Sequence, residues 1–355
     1  ATMVEDERVQ GVDFMVINTD AQDLAVSPAE TKVQIGTKLT NGLGSGGDPS
    51  VGRKSAEEDV ELIHEHLGGA DMVFITAGMG GGTGTGAAPI VADVAKQQGA
   101  LTIGVVTKPF HFEGTKRMMN AEEGIMNLKD NVDALIIIPN QRLLEISDEQ
   151  LSLPQALKLA DSVLADSVRG ISDIIVMPGL INRDFADVRT IMHDAGSAIM
   201  GIGRASGEDR SAEAARHAVE SPLLETSIEG AKGVLINITG GNNLTLQEVD
   251  AASHVISEAA DPDATIIFGT TIDDEMDDEV KVTVIATGFD EYQQRSMSQI
   301  KESIRRQPMQ SQPQPQQEER NDKEEKKDDA FDIEFGPDME ELEKPAFLRR
   351  TECIL

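Results

Sequence analysis

The chain has 355 residues and a formal net charge of −32, from 31 Lys and Arg against 63 Asp and Glu. That balance argues against nucleic acid held through its phosphate backbone, which needs basic surface. Aromatic residues at 3%, with no Trp and one Tyr, leave little to stack on bases. The hydrophobic share of 39% supports a real core, and the length allows two domains and a tail. The one cysteine, Cys353, excludes an intrachain disulfide and a cysteine-based zinc site, and fits a reducing, cytosolic setting. No apolar run is long enough to span a membrane. No signal peptide is visible, and the sequence opens on Ala1 rather than Met, as a processed chain or a fragment would.

Residues 1 to about 150 alternate strand and helix signals. VDFMVIN (12–18), ADMVFITAG (70–78), LTIGVVTKP (101–109) and VDALIIIPN (132–140) are apolar runs ending at turn-forming residues. Helix-like stretches cover 50–67, 85–98 and 114–130. Apolar strands alternating with helices predict a parallel sheet covered on both faces, with ligands at the carboxyl ends of the strands. PQALKLADSVLADSVRGISDIIVMPG (154–179) reads as one long helix, with Leu157, Leu164, Val168, Ile171 and Ile175 on one stripe. Pro154 suits its first turn and Pro178–Gly179 stop it. Such a helix, roughly 35 Å long, is enough to join two domains as a strut.

Residues 184–288 form a second unit. SAIMGIG, KGVLINITG, ATIIFGT and EVKVTVIATGF are strand-like, and KVTVIATG alternates enough to predict a half-solvated strand. DFADVRTIMHDAG, RSAEAARHAVES and LQEVDAASHVISEAA are helix-like. Beyond about 290, QPMQSQPQPQQEERNDKEEKKDD has almost nothing to bury and reads as a disordered linker. Apolar residues return in FDIEFGPDMEELEKPAFLRR, as in a docking peptide on a tether.

The run GMGGGTGTGAAP (Gly78–Pro89) carries the chemistry. Six of its first nine residues are glycine, and it lies directly between a buried-strand candidate and a helix. That order turns backbone N–H groups toward one point and lets a phosphate come close to a helix N-terminus. Thr83 and Thr85 add hydroxyl donors. A bare strand-to-helix crossover requires far less glycine. Two common phosphate motifs fit poorly. No Lys follows the glycines as a P-loop requires, and the GxGxxG spacing has to be forced onto Gly80 and Gly82 with no acidic ribose ligand well placed. The poor GxGxxG fit also disfavours a dinucleotide oxidoreductase. A second loop, NGLGSGGDPSVG (41–52), precedes another helix; Gly46, Gly47 and Asp48 there suit either a terminal phosphate or an ordinary flexible loop.

GGGTGTG after a buried strand, INTDAQ (17–22), TKPFHFEGTKR (107–117), IPNQRLL (138–144), GLINRDFADV (179–188) and the tail PAFLRR (345–350) stand in this order. With these blocks the chain resembles the tubulin/FtsZ GTPase family, on the side of the bacterial cell-division FtsZ proteins, from its first residue to about 288. The resemblance implies an α/β, tubulin/FtsZ-like fold. Its parts are a parallel-sheet GTP-binding domain (1–153), a long central helix (154–178), a second, smaller α/β domain with an inter-subunit activating loop (179–288), a disordered linker (289–335) and a docking peptide (336–355). It further implies a cytoplasmic, head-to-tail homopolymer that forms the division ring at mid-cell, with GTP or GDP bound and Mg2+ accompanying the nucleotide.

The family's site residues carry over onto this sequence. Gly81, Gly82, Thr83 and Gly84 match the phosphate cradle. Glu113 and Arg117 match ribose and phosphate contacts; by itself Glu113 reads as an acid suited to a helix dipole. Asn18 and Asn140 match polar pocket residues. Asp161, otherwise a solvated helix residue, matches the guanine reader, since a carboxylate accepts from N1–H and N2–H2 together. Asp184 and Asp187, three apart, share one face of a helix start, where capping is their ordinary role. The resemblance makes them catalytic on the neighbouring subunit, polarising a water and helping hold a cation against the γ-phosphate, with Asn182 orienting the loop. Hydrolysis then requires polymerisation.

There are departures. The family begins with a strand and a GGGGN-type loop holding the α- and β-phosphates, and this sequence starts after both. The sheet is therefore expected to lack a central strand and the pocket a wall. The alternative function is accordingly a nucleotide-binding scaffold with weak or no hydrolysis. Leu157 stands where Phe is common, keeping apolar contact with the base but not the aromatic face, and Pro154 is unusual for the family. In the tail, Phe347 and Leu348 are expected to anchor on membrane-tethering and regulatory partners while Arg349 and Arg350 pair with acidic rims. No nucleic acid and no membrane insertion is implied. Deleting residues 345–355 is expected to leave polymerisation intact, by light scattering, and to abolish partner binding; a polymerisation defect would contradict the docking role.

Overall fold

The computed structural model describes Val4 and residues 11–146, 151–176, 184–224, 226–273 and 276–289. The linker, the docking peptide with Pro345–Arg350, Asn182 and the Pro178–Gly179 stop lie outside the described residues.

The chain runs β1 (Met15–Asn18), α1 (Ala21–Val26), β2 (Thr31–Gln34), α2 (Thr37–Thr40), α3 (Pro49–Glu58), α4 (Val60–Leu67), β3 (Met72–Gly78), α5 (Thr83–Gln97), β4 (Leu101–Lys108), α6 (Thr115–Lys129), β5 (Ala134–Pro139) and α7 (Asn140–Ile146). It continues through α8 (Leu153–Val176), α9 (Phe185–Met192), β6 (Gly196–Ser206), α10 (Arg210–Val219), β7 (Gly233–Gly240), α11 (Leu246–Ala259), β8 (Thr265–Ile272) and β9 (Glu279–Thr287). The four apolar runs of the first half contain strands, and Leu153–Val176 is a single helix, as the patterns predict for the described part of 154–179. The 50–67 stretch is two helices. It breaks at Asp59, whose carboxylate accepts the Gly36 amide at 2.6 Å instead of staying with its own helix.

Seven strands form one sheet in the order β3-β4-β5-β6-β9-β7-β8. The pairs from β3 to β6 are parallel, and β9 runs antiparallel to both β6 and β7. The two halves are thus continuous through the short β5–β6 pairing, Ala134–Ile136 against Gly196–Ala198. Leu101, Ile103, Val105 and Ile136 face the core shared with α8 and α9, while Val106 and Leu135 face that of α5 and α6. Burial on both faces is why these strands read as continuous apolar runs.

The alternation in KVTVIATG is misleading. β9 is buried from Val280 to its end, Lys281 included, because it is an interior strand between β6 and β7. Its Thr residues are accommodated: Thr283 lies against Gly170 of α8, and the Thr287 hydroxyl donates to a backbone carbonyl, with the Ile191 and Gly233 oxygens at 3.2 and 3.3 Å.

β1 and β2 pair in parallel as a separate two-stranded sheet. Among the described residues, β1 has no partner on the side away from β2, and β3 none on the side away from β4. The two edges line one cavity of about 1270 Å³, with Met15 and Ile17 on one wall and Met72 to Ala77 on the other. Val168, Ser172 and Ile175 of α8 and Ala87, Ala88 and Val91 of α5 also line it.

Helices α3 and α5 approach backbone to backbone. A Cβ at Gly86 would collide with the Pro49 carbonyl oxygen and meet the Arg53 amide at 2.5 Å, and one at Gly52 would collide with the Gly82 carbonyl. Neither obstacle is a flexible side-chain end, so the helices must separate to admit a methyl. Gly86→Ala is expected to destabilise the fold by about 2 kcal/mol despite the better helix propensity of Ala, read as a lowered urea midpoint. An unchanged midpoint would show that the helices slide freely.

Candidate nucleotide site

The glycine run joins the carboxyl end of β3 to α5, and the structure divides its glycines into two kinds. Gly80 adopts φ 101°, and a Cβ there would meet the Arg117 carbonyl at 2.7 Å, so this glycine seats α6. Gly82 is covered by Ser45 and the Asp48 amide, so it seats the 41–48 loop. At Gly81 a Cβ would meet nothing within 4 Å, so this backbone faces open space. Close packing therefore accounts for part of the glycine content, and Gly81 is the point of access.

Helix α5 has Gly82 at its N-cap and no side chain capping it. The amides of its first turn and the helix dipole are left to a ligand, and the chemistry they suit is anionic. Hydroxyls from three segments meet there. Thr83 Oγ1 lies 2.7 Å from Thr19 Oγ1 and 3.1 Å from Ser45 Oγ, tying the end of β1 and the 41–48 loop to the helix start. Thr85 faces inward, where its hydroxyl accepts the Gly80 amide at 2.8 Å. Sequence reading singled out Thr83 but not Thr19 or Ser45, which lie 64 and 38 residues away in the chain.

Gly46 and Gly47 have φ of 61° and 76° and no neighbour near a Cβ position, so this part of the loop is open. Asp48 caps α3, and the Ser50 hydroxyl and amide donating to it hold its carboxyl below the usual range. A carboxylate near the uncapped start of α5 would repel an anion there unless a cation stood between them. The Asp48 carboxylate caps α3, while the Ser45 and Thr83 hydroxyls offer oxygen donors of the kind hydrated Mg2+ would take if it accompanied an anion here.

Glu113 and Arg117 lie next to the glycine run. Glu113 Oε1 accepts the Phe110 amide at 2.8 Å, and Oε2 pairs with Arg117 at 3.1 Å. Asn18 closes its own turn, its Oδ1 accepting the Thr19 amide at 2.8 Å. Asn140 opens α7, and its Oδ1 is buried without a partner among the described residues. Such an acceptor fits a site completed by a ligand donor. Leu157 and Asp161 are both exposed, one turn apart on α8. Leu157 is 48% exposed, so it leaves the core stripe on which its spacing had placed it. At that level Ala156 and Ala160 are the buried residues, and further along Val168 and Ile171 are fully packed.

Asp184 and Asp187 are not brought to this site within the chain. Asp184 is the N-cap of α9 and accepts the Asp187 amide at 2.9 Å, the ordinary capping chemistry. The far end of α9 lies at the amino ends of the strands, where Arg189 donates to the Gly99 carbonyl at 3.4 Å, just before β4. The glycine run lies at the carboxyl ends, where the Met79 amide reaches the Thr107 carbonyl. The eight residues of β4 separate the two levels by roughly 25 Å.

Among the described residues, Asp133, His193 and Asp194 could together hold a metal ion. Lys96 Nζ already lies 3.4 Å from Asp133 and 3.2 Å from Asp194 and supplies the counter-charge. No described helix is long and apolar enough to cross a membrane.

Residues 3–148 match the sequence profile of the tubulin/FtsZ family GTPase domain, and residues 196–290 that of the FtsZ family C-terminal domain. Among solved structures, an empty FtsZ dimer from M. jannaschii is 48% identical, with a TM-score of 0.75 over 77% of this chain and 79% of that one. A point mutant of FtsZ from M. jannaschii matches at the same identity and TM-score, over 82% of its length. CetZ2 of Haloferax volcanii, solved as a protofilament with GTPγS, is 20% identical with a TM-score of 0.66 over 82% of this chain and 90% of that one, a likeness of fold. With both profiles matched and 48% identity over most of its length, the chain belongs to the FtsZ family of tubulin-like GTPases.

Proposed function

We propose that this protein binds GTP at the N-terminus of α5, polymerises head to tail in the cytoplasm, and builds the division ring at mid-cell. GTP is hydrolysed where one subunit meets the next. The observation that carries the reading is the uncapped start of α5, with Gly81 open and three hydroxyls converging on it.

In this reading the amides of Gly81, Gly82, Thr83 and Gly84 hold the phosphates and Arg117 reaches them from α6. Glu113 takes a ribose hydroxyl while keeping Arg117 in place. Asn140 offers its buried acceptor, and Asp161 reads the guanine edge beside Leu157. Mg2+, bound with the nucleotide, would neutralise phosphate charge. The distance along β4 supports a shared site: the carboxyl end of α9, the helix that Asp184 caps, lies at the opposite end of the sheet from the glycine run. Stacking subunits head to tail would bring Asp184 and Asp187 to a neighbour's γ-phosphate, where they orient a water rather than fully deprotonate it. The tail, through Pro345–Arg350, then serves membrane-tethering and regulatory partners.

A second reading is favoured by the cavity between β1 and β3, which reaches Thr83 and Gly84. A strand of about seven extended residues, roughly 23 Å, would fit along those edges. Without such a strand the phosphate loop has one wall fewer, and the chain acts as a nucleotide-binding scaffold with weak or no hydrolysis. GTP titration of this chain against one extended by an upstream strand weighs the two readings; equal affinities would show that the cavity is irrelevant to the site.

Phosphate release measured across protein concentration tests the shared site. Release is expected to rise steeply above a critical concentration. Asp187→Ala is expected to lower it at least 100-fold, about 3 kcal/mol of barrier, while GTP stays bound. Asp184→Asn keeps a good N-cap, so it is expected to retain the thermal midpoint and still lose turnover. Hydrolysis by monomeric Asp187→Ala would rule the mechanism out.

A further inference from the structure

Helix α8 lies unusually close to the C-terminal half of the sheet. A Cβ at Gly170 would meet Thr283 of β9 at 3.0 Å, and one at Gly269 of β8 would meet Ile174 at 3.0 Å. This approach leaves little room for water, yet the interface holds charges. Asp166 Oδ1 is shared by Arg169 and Lys281, each at 3.3 Å, while Arg204 of β6 reaches Oδ2 at 3.7 Å. The side chains of Asp166, Arg169 and Lys281 are 12%, 8% and 9% exposed. Asp173, one turn beyond Gly170, is 7% exposed. Three cations thus converge on the Asp166 carboxylate, and Asp173 is a second buried carboxylate within reach of the charges of Arg169 and Lys281.

We propose that this cluster is a proton-controlled latch, holding α8 against β8 and β9 while Asp173 is protonated and loosening the joint when Asp173 ionises. The groups around Asp173 do not remove the cost of its charge. Arg169 on its own helix and Lys281 on β9 favour the ionised form, while Asp166 and Asp273, just after β8, oppose it. Arg204 is half-exposed and also faces Glu279, and β7 and β8 offer the neutral Asn237 and Thr271. Toward α8, β4 and β5 present the apolar Ile103, Val105, Ile136 and Ile138. Burial dominates and pushes Asp173 up to about 6. The same burial pushes Lys281 down, so acid and base both resist their charges here.

A carboxyl raised in the closed state stabilises that state while protonated, and the gain is lost as pH rises through about 6. If opening returns Asp173 to the ordinary 3.8, the opening constant grows by about tenfold between pH 5 and pH 7.5. The proposal rests on this geometry and not on the nucleotide reading.

Hydrogen exchange of the second half of α8 and of β9, corrected for the intrinsic pH dependence of exchange, tests it in the full chain. The wild type is expected to open about tenfold more at pH 7.5 than at pH 5, and Asp173→Asn to show closed-state protection at both. A flat wild-type profile, or the full slope retained in Asp173→Asn, would overturn the latch. A wild-type carboxyl resonance of Asp173 with its midpoint near 6 supports it independently of any variant; one near 4 overturns it.

Discussion

The approach of α3 to α5 is the constraint on which the site depends. Gly52, Gly82 and Gly86 remove the side chains that would hold the two helices apart, so backbone meets backbone. The contact sets the 41–48 loop beside the glycine run and brings Ser45 to 3.1 Å from Thr83. Two loops far apart in sequence then share one helix start. Seating these neighbours also explains why the run is richer in glycine than a ligand alone would require: Gly80 and Gly82 are occupied by Arg117 and Ser45, and Gly81 is left to face outward. Binding capacity here follows from packing.

The second half of the molecule is organised by α8 and β9. The sheet runs continuously from β3 to β8, but only a short parallel pairing joins β5 to β6. The central helix spans that join, packing against strands from both sides of it. At the outer end of the second half, Arg210 is buried against Glu248 at 2.6 Å and also donates to Asn243, fastening the starts of α10 and α11 together. Removing one partner of such a pair strands the other charge in the interior, which costs far more than the net worth of the contact.

Much of this was legible because burial writes itself into composition. β4 and β5 are covered on both faces and read as unbroken apolar runs, and α8 was bounded at its first turn by Pro154. β9 was misread because Lys281 and Thr283 look solvent-facing. Their partners, Asp166 and Gly170, lie on a helix more than a hundred residues earlier, and no local pattern reports that. The break at Asp59 and the exposure of Leu157 went unread for related reasons: one carboxylate serves a distant loop, and at Leu157 the helix turns Ala156 and Ala160 to the core instead. At the site, the glycines, Thr83 and the Asp184 cap were legible from spacing and local capping rules. Thr19 and Ser45 were not, since each matters only through a hydroxyl brought in by tertiary folding.

The polarity of a parallel sheet divides the chemistry between two ends. Helices that follow strands present their positive N-termini at the carboxyl ends, so an anionic ligand belongs there. The start of α5 has that polarity and has no side-chain cap. α9 packs against the same sheet, but its carboxyl end reaches the opposite edge, beside Gly99, and its start is already capped by the Asp184 carboxylate. An acidic helix start does not attract a phosphate; it suits a water or a cation instead. On the proposed reading the start of α5 receives the anion and the acidic start of α9 serves a neighbouring subunit, since the carboxyl end of α9 reaches the opposite end of the sheet. Translation along the strand direction is the simplest operation that sets one against the other, and repeated, it makes a filament. On the proposed reading, dependence of hydrolysis on assembly follows from strand polarity and from which helix start is capped.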